Sequence, residues 1–286
     1  MSRTATRSAE EAASGEVRSS VTEHAVETKS LPFDNPAARS LVQARIAFLD
    51  RLLTSWPGPQ ISTALDAGAG VGYLAGHLAI RHKLRVTALD VRNSNVDEAR
   101  RRHREPQFVV GDVEDASTLS LGDFDLVLAF GLIYHLENPA QAVRHLAQMT
   151  GHLLVVESMI APGKLPQAQM LDEFPGADQG VRHFAFHPTE SGLVKLLYRA
   201  GMQRVYRPTR SVDDPDFRGT PLRRRMRTLL VATRNPIEVP TLRAVHEPSY
   251  KLDRAYSFRS PLRSIVRYFL QRRRNRRKDS NVRTLN

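Results

Sequence analysis

The sequence predicts an α/β domain in which helices cover both faces of a mostly parallel sheet. Apolar runs of strand length alternate along the chain with segments whose apolar residues recur at helical spacing. Those runs are apolar at nearly every position, which is typical of parallel strands buried on both faces. The first run leads into an acidic residue and three alternating glycines. A turn of that kind lets the backbone approach a ligand closely.

The elements follow in a regular order. Strands are predicted at residues 64–66, 84–90, 107–112, 124–131, 152–157, 202–206 and 227–233, the last two paired antiparallel. Helices are predicted at residues 37–56, 71–82, 93–102, 140–149 and 189–201. Asn93 or Ser94 is expected to cap the third helix, and Thr189 the fifth. Residues 158–188 contain many prolines and glycines and show no regular pattern, so we expect an irregular loop that overhangs the carboxyl edge of the sheet.

The glycine turn allows two nucleotide-binding interpretations. Residues 70–75 satisfy the dinucleotide pattern G-x-G-x-x-A, which alone is a weak signal. The full series of Asp66, Gly68, Gly70 and Gly72 instead closely resembles the first motif of class I S-adenosylmethionine-dependent methyltransferases. A dinucleotide dehydrogenase would also need a second substrate domain, and nothing after Asn235 has the pattern of one.

Later motifs extend this resemblance over residues 66–233. It implies a Rossmann-like sheet of seven strands with the final strand antiparallel, and S-adenosyl-L-methionine as cofactor. The four residues of the first motif would bind the methionine and ribose end, and Asp90 the ribose hydroxyls. By the same resemblance, Asp112 would bind the adenine amino group and Val113 would supply a neighbouring backbone N–H. Gly131 would lie near the sulfonium.

The acceptor side is less well defined. Residues 131–139 resemble a Gly-Leu-x-Tyr-His-Leu-x-x-Pro segment found in a broad subgroup of the family, one branch of which modifies wobble uridines in tRNA. His135 is the first candidate for a general base, followed by His183 and His187. The alternative for His135 is a histidine that pins its loop by hydrogen bonding. Tyr134 is expected to line the substrate pocket or to pack. No metal site is predicted, because the histidines form no helical i, i+4 pair.

Composition and charge narrow the remaining choices. The chain of 286 residues has no cysteine, and no apolar run reaches the length of a membrane span. Of the net charge of +12, residues 251–286 carry +10, from twelve Lys or Arg and two Asp. A disordered leader is expected over residues 1–30, the catalytic domain over 31–236 and a basic extension over 237–286. An amphipathic helix beginning at Ser260 would suit an anionic membrane surface or a phosphate backbone.

The predicted function is therefore S-adenosylmethionine-dependent methylation, on an oxygen of a small-molecule or glycan acceptor. The main alternative is an RNA-modifying enzyme of tRNA type that uses the basic tail. An NAD-binding oxidoreductase and a non-catalytic scaffold are lesser alternatives. The sequence is compatible with a cytoplasmic protein, and contact with an anionic membrane through residues 260–278 is left open.

Overall fold

The structure is a computed structural model that describes residues 31–219 and 224–250. The predicted leader and the predicted amphipathic helix of the tail lie outside the described residues. The helices are α1 (Pro36–Thr54), α2 (Tyr73–Arg81), α3 (Asn93–Arg102), α4 (Pro139–Gln148) and α5 (Glu190–Arg199). The strands are β1 (Thr63–Ala67), β2 (Arg85–Asp90), β3 (Gln107–Val110), β4 (Phe124–Phe130), β5 (Thr150–Met159), β6 (Ala168–Asp172), β7 (Phe184–Pro188), β8 (Arg204–Pro208), β9 (Arg227–Thr233) and β10 (Leu242–Val245).

The main sheet has the strand order β10-β8-β9-β5-β4-β1-β2-β3. Neighbouring strands pair in parallel through the part of the sheet ordered β3-β2-β1-β4-β5. By contrast, β9 pairs antiparallel with both β5 and β8. The mostly parallel sheet with an antiparallel end is confirmed. It has eight strands rather than seven, because Leu242–Val245 adds to β8 at the edge. The sheet thus continues past residue 236, where the sequence analysis ends the domain. β10 was not predicted from the sequence. Its end residues are half-buried and its two middle residues are exposed, so apolar and polar positions do not alternate along it.

Two cores lie on opposite faces of the sheet. Along β4, Leu126 and Leu128 face one core while Val127 and Ala129 face the other, as the two-residue period of a strand requires. The first core is completed by apolar residues of α1, α2 and α3. The second is completed by α4 and α5. Helices therefore cover both faces, as predicted from the continuous apolar strands.

The segment after β5 differs from the expected irregular loop. It contains a hairpin in which five residues of β6 pair with five of β7. All of β6 is exposed, so neither burial nor an apolar pattern identifies it as a strand. The backbone N–H of Phe186 donates to the carbonyl of Leu136 at 3.3 Å, which holds the hairpin beside the segment that follows β4. The overhang at the carboxyl edge is as predicted.

Helix ends agree with the sequence in one case and differ in another. Thr189 caps α5 by accepting a hydrogen bond from the N–H of Gly192 at 3.0 Å. For α3 the cap residue is Arg92, one position before the predicted candidates Asn93 and Ser94, and its side chain makes no capping bond. Of the described helices, none has the length and hydropathy to cross a membrane.

Candidate functional site

A cavity of about 870 Å³ opens at the carboxyl ends of the parallel strands. Open α/β sheets bind their ligands at this edge. Most of the predicted site residues line it together: Asp66, Gly68, Gly70, Asp90, Asp112, Val113, Gly131, Tyr134, His135 and His187. Gly72 and His183 do not belong to the lining. His183 is exposed and has a φ of 56°, so its loop turns the residue away from the others.

The glycine turn explains why Gly72 is needed although it does not line the cavity. Gly68, Gly70 and Gly72 all have positive φ, at 73°, 54° and 80°. At Gly72, the residue before α2, an added Cβ would lie 2.8 Å from the ring of Phe108. That glycine therefore serves the turn and the packing beneath it. The first two glycines leave the cavity wall free of side chains.

Asp66 is the most unusual group in the cavity. The residue is 2% exposed, and its Oδ2 has no hydrogen-bond partner among the described residues. Burial raises the pKa of Asp66 to about 7, although the backbone N–H of Ala75 and the charge of Arg45 oppose the shift. A buried carboxyl group with an unpaired oxygen is costly when charged. A cation placed next to it would remove that cost.

The raised pKa predicts a specific pH dependence of folding. A carboxyl whose folded pKa lies above its unfolded value binds more protons in the folded state, so it destabilises the fold increasingly as the pH rises from about 4 to about 7. The free energy of unfolding of the wild type, relative to that of Asp66→Asn, should fall by roughly 2–3 kcal/mol between pH ~5 and pH ~7. Urea unfolding of both proteins across this range measures the difference. A difference independent of pH would contradict the assignment.

Asp90 and Asp112 are both held by donors of the protein. Asp90 Oδ2 accepts the N–H of Gly70 at 2.8 Å, and its Oδ1 accepts from the N–H of Arg92 at 2.9 Å. These bonds fix the acid at the end of β2 against the glycine turn, and burial raises its pKa. Asp112 Oδ2 pairs with the guanidinium of Arg182 at 2.9 Å, and the side chain of Asp112 is partly exposed to the cavity mouth.

The loop between β6 and β7 covers the cavity from above these acids. Arg92 donates to the carbonyl of Gln179 at 3.0 Å, and Asn95 donates to that of Ala177 at 3.2 Å. Together with the ion pair between Arg182 and Asp112, these contacts attach the loop to the ends of β2 and β3. The overhang expected from the sequence is thus fixed by hydrogen bonds rather than by apolar packing.

His135 is paired with a carboxylate that the sequence analysis did not single out. Its Nδ1 lies 2.5 Å from Oε1 of Glu173, which stands at the start of the covering loop. The other oxygen of Glu173 accepts the N–H of Gly180 at 2.9 Å. Burial lowers the pKa of His135 despite the opposing charge of Glu173. The imidazole is therefore neutral at pH ~7, with Nδ1–H directed to the carboxylate and Nε2 left as proton acceptor.

Two arginines that line the cavity pair with one buried glutamate that does not. Glu157, at the end of β5, is fully buried and pairs with Arg45 of α1 and with Arg227 of β9, the latter at 3.0 Å. The guanidinium of Arg227 also lies 5.4 Å from the centre of the Tyr134 ring. The ring of His187 meets the Tyr134 ring edge-on at 5.4 Å. Tyr134 and His187 thus lie together beside His135.

Little in the sequence indicated that Arg45, Glu157 and Glu173 belong to the site. Arg45 belongs to the first predicted helix, for which no site residue was proposed, and Glu173 is one of several acids in a segment without a regular pattern. The one usable signal was Glu157, a charged residue that ends an otherwise apolar strand at the ligand-binding edge.

Comparison with known proteins agrees with this geometry. Residues 65–152, which contain the glycine turn and the strands β2 to β4, match the family model described as a methyltransferase domain. Residues 65–152 therefore correspond to a methyltransferase domain. The matched region runs from the first predicted cofactor motif past His135.

One curated relative and one solved domain are informative. The chain is 30% identical over 149 residues to a malonyl-[acyl-carrier protein] O-methyltransferase of Enterobacter lignolyticus (strain SCF1). That match covers 50% of this chain and 59% of the relative. The N-terminal domain of EvdMO1, solved in the presence of SAH and D-fucose, superposes with a TM-score of 0.55 at 18% identity, covering 67% of this chain and 83% of that domain. A second structure of the same domain, with SAH bound, gives 0.53 at 20% identity over 70% of this chain and 81% of that one. This likeness shows a shared fold.

Proposed function

We propose that this methyltransferase-family chain transfers a methyl group from S-adenosylmethionine to an oxygen atom of a small-molecule or glycan acceptor. The observation that carries the proposal is that one cavity joins the acidic series Asp66, Asp90 and Asp112 to the pair formed by His135 and Glu173. The first set suits a nucleoside with a cationic end. The second suits removal of a proton from an acceptor.

The residues fit the cofactor on structural grounds. S-adenosylmethionine supplies, when bound, a methyl group that is already activated on a sulfonium. The molecule also carries an α-ammonium group, and the unpartnered Oδ2 of Asp66 offers a buried anion for a positive charge. An added Cβ at Gly68 or Gly70 would lie 3.0 Å from Leu132 or from Phe33, so side chains there would close the cradle. Asp90 and Asp112 follow along the same edge of the sheet.

His135 acts as the general base in this proposal. Glu173 accepts the Nδ1–H and so fixes both the tautomer and the orientation of the imidazole. Nε2 would take the proton of an acceptor hydroxyl group, while the methyl group passes from the sulfonium sulfur to the acceptor oxygen and S-adenosylhomocysteine leaves as the thioether. The protein otherwise works by positioning, because the methyl group needs no further activation. Tyr134 and His187 would orient the acceptor beside His135.

The acceptor class is supported by two independent features. The cavity lining combines hydrogen-bonding groups with apolar side chains such as Leu41, Leu171 and Phe174, which suits a compact molecule of mixed polarity. The relatives bear names that fit this class: an O-methyltransferase and a domain studied with D-fucose. The RNA and membrane alternatives stay predictions of the sequence, since the basic tail lies outside the described residues.

Incubation of the full chain with S-adenosylmethionine labelled in the methyl group tests the proposal. Candidate hydroxylated small molecules, sugars, carboxylic acids and tRNA would be offered separately, and the products analysed by mass spectrometry. The label should appear on an oxygen of a small molecule or sugar and require His135. Label recovered in tRNA, or on nitrogen or carbon, would contradict the proposed acceptor.

A further inference from the structure

A second group of chemically active side chains lies away from the cavity, where α1 meets α2. Asp50 projects from the last turn of α1, His77 from α2, and His82 follows the end of α2. Nε2 of His77 and Nε2 of His82 each lie 2.7 Å from the same atom, Oδ1 of Asp50. None of the three lines the cavity.

The geometry is that of a small ligand set. Each of the three residues offers one ligand atom, and these atoms all lie within 4.8 Å of one another. The two imidazole rings meet edge-on with their centres 5.7 Å apart. The side chains of His77 and His82 are 21% and 19% exposed and that of Asp50 is 38% exposed, so an ion and its remaining water ligands have access from solvent.

The sequence reasoning missed this group because it looked for histidines four residues apart. His77 and His82 are five apart. The helix ends at Arg81, and His82 is its C-cap residue, so the two histidines lie more than one turn apart along the chain. The carboxylate comes from another helix, 27 positions before His77, where no local pattern connects it to the histidines.

We infer that Asp50, His77 and His82 form a zinc-class divalent metal site that ties α1 to α2. Two imidazole nitrogens and one carboxylate oxygen are ligands that Zn²⁺ prefers, with a fourth position open to water. Tetrahedral ligands at ~2.1 Å from the ion lie roughly 3.4 Å apart, so each nitrogen needs to retreat from Oδ1 by less than an ångström. Each Nε2 gives up its proton and binds through its lone pair.

The site links two helices that also contribute to the cavity wall. Arg45 and Leu41 of α1 and Tyr73 and Leu74 of α2 line the cavity. A metal ion bound between α1 and α2 would therefore hold together two helices of the cavity wall. It would also stabilise the folded state, as any ligand that binds only the folded state does. This inference does not depend on the methyl-transfer proposal.

The test uses the tag-free full chain after dialysis against a chelator. Calorimetric titration with Zn²⁺ should show one equivalent bound at micromolar or lower dissociation constant, and saturating Zn²⁺ should raise the unfolding midpoint by about 5–10 °C. Asp50→Asn and His77→Ala should each weaken binding at least ~10-fold and remove the midpoint shift. Substitution with Co²⁺ should give the visible absorption of a tetrahedral centre in the wild type but not in Asp50→Asn or His77→Ala.

His152→Ala is the matched control. His152 pairs with Asp125 at 3.6 Å and is similarly exposed, but among residues 31–219 and 224–250 no third ligand accompanies it. This variant should bind Zn²⁺ as the wild type does. Zinc binding weaker than ~100 μM in the wild type would overturn the inference. So would binding that Asp50→Asn and His77→Ala leave unchanged, with circular dichroism showing that both variants are folded.

Discussion

Replacing His135 with alanine is expected to lower the turnover number by ~10²–10⁴ while leaving the affinity for S-adenosylmethionine nearly unchanged. The imidazole is neutral because burial lowers its pKa, and its Nδ1 is engaged by Glu173. Removing it takes away the proposed general base but leaves the acidic series Asp66, Asp90 and Asp112 in place. Steady-state kinetics and cofactor titration on the same preparation separate the two effects.

Glu173→Gln distinguishes catalysis from loop pinning. The amide keeps the size of the side chain and a hydrogen-bonding oxygen but no longer supplies a charge to the imidazole, so turnover should fall while the midpoint of unfolding changes little. The acid limb of the pH–rate profile should also move to lower pH, because a negative charge that raises the pKa of His135 is lost. His183→Ala, at an exposed position outside the cavity, should retain activity. Loss of activity in proportion to lost stability in His135→Ala would favour a purely structural histidine.

Glu157→Gln is expected to destabilise the fold by ~3–5 kcal/mol. Glu157 is fully buried, and the guanidinium groups of Arg45 and Arg227 both pair with it. Its neutralisation leaves two arginines, each with a side chain only 12% exposed, without that counter-charge. Urea unfolding should show a lower midpoint with an unchanged slope.

Glu137→Gln provides the control for that substitution. Glu137 also faces an arginine, at 3.5 Å from Arg182, but its side chain is half exposed. Water screens such a pair, so its loss should change the free energy of unfolding by less than about 1 kcal/mol. If the two substitutions lower the free energy of unfolding equally, the buried ion pairs of Glu157 stabilise the fold no more than an exposed ion pair does.

The part of the fold and site that could be predicted from the sequence was the part encoded locally. The strands β1 to β5 consist largely of apolar residues, and Asp66, Asp90 and Asp112 lie at or near the carboxyl ends of β1, β2 and β3. Parallel strands end at the same edge, so local motifs sufficed to place these acids in one cavity. His135 could be placed for the same reason, since it follows β4.

The rest depends on contacts between distant segments. Glu173 and His135 are 38 positions apart, and Arg45 and Glu157 are 112 apart. No periodicity records such pairings. β6 and β10 are held by backbone pairing to a neighbouring strand rather than by an apolar pattern of their own, and so were not predicted. Asp50 could not be connected with His77 and His82 from the sequence either, because the three side chains come together only when α1 packs on α2.

Calorimetric titration with S-adenosylmethionine tests the central claim most directly, because it asks whether the Asp66 carboxylate receives a cationic ligand. The wild type should bind with a micromolar or lower dissociation constant, and its affinity should rise with pH up to about 7 as Asp66 ionises. Asp66→Asn should bind at least ~10-fold more weakly and lose that pH dependence, while the exposed control Asp123→Asn should behave as the wild type. Absence of binding, preference for NAD, or equal affinity in Asp66→Asn would contradict the account.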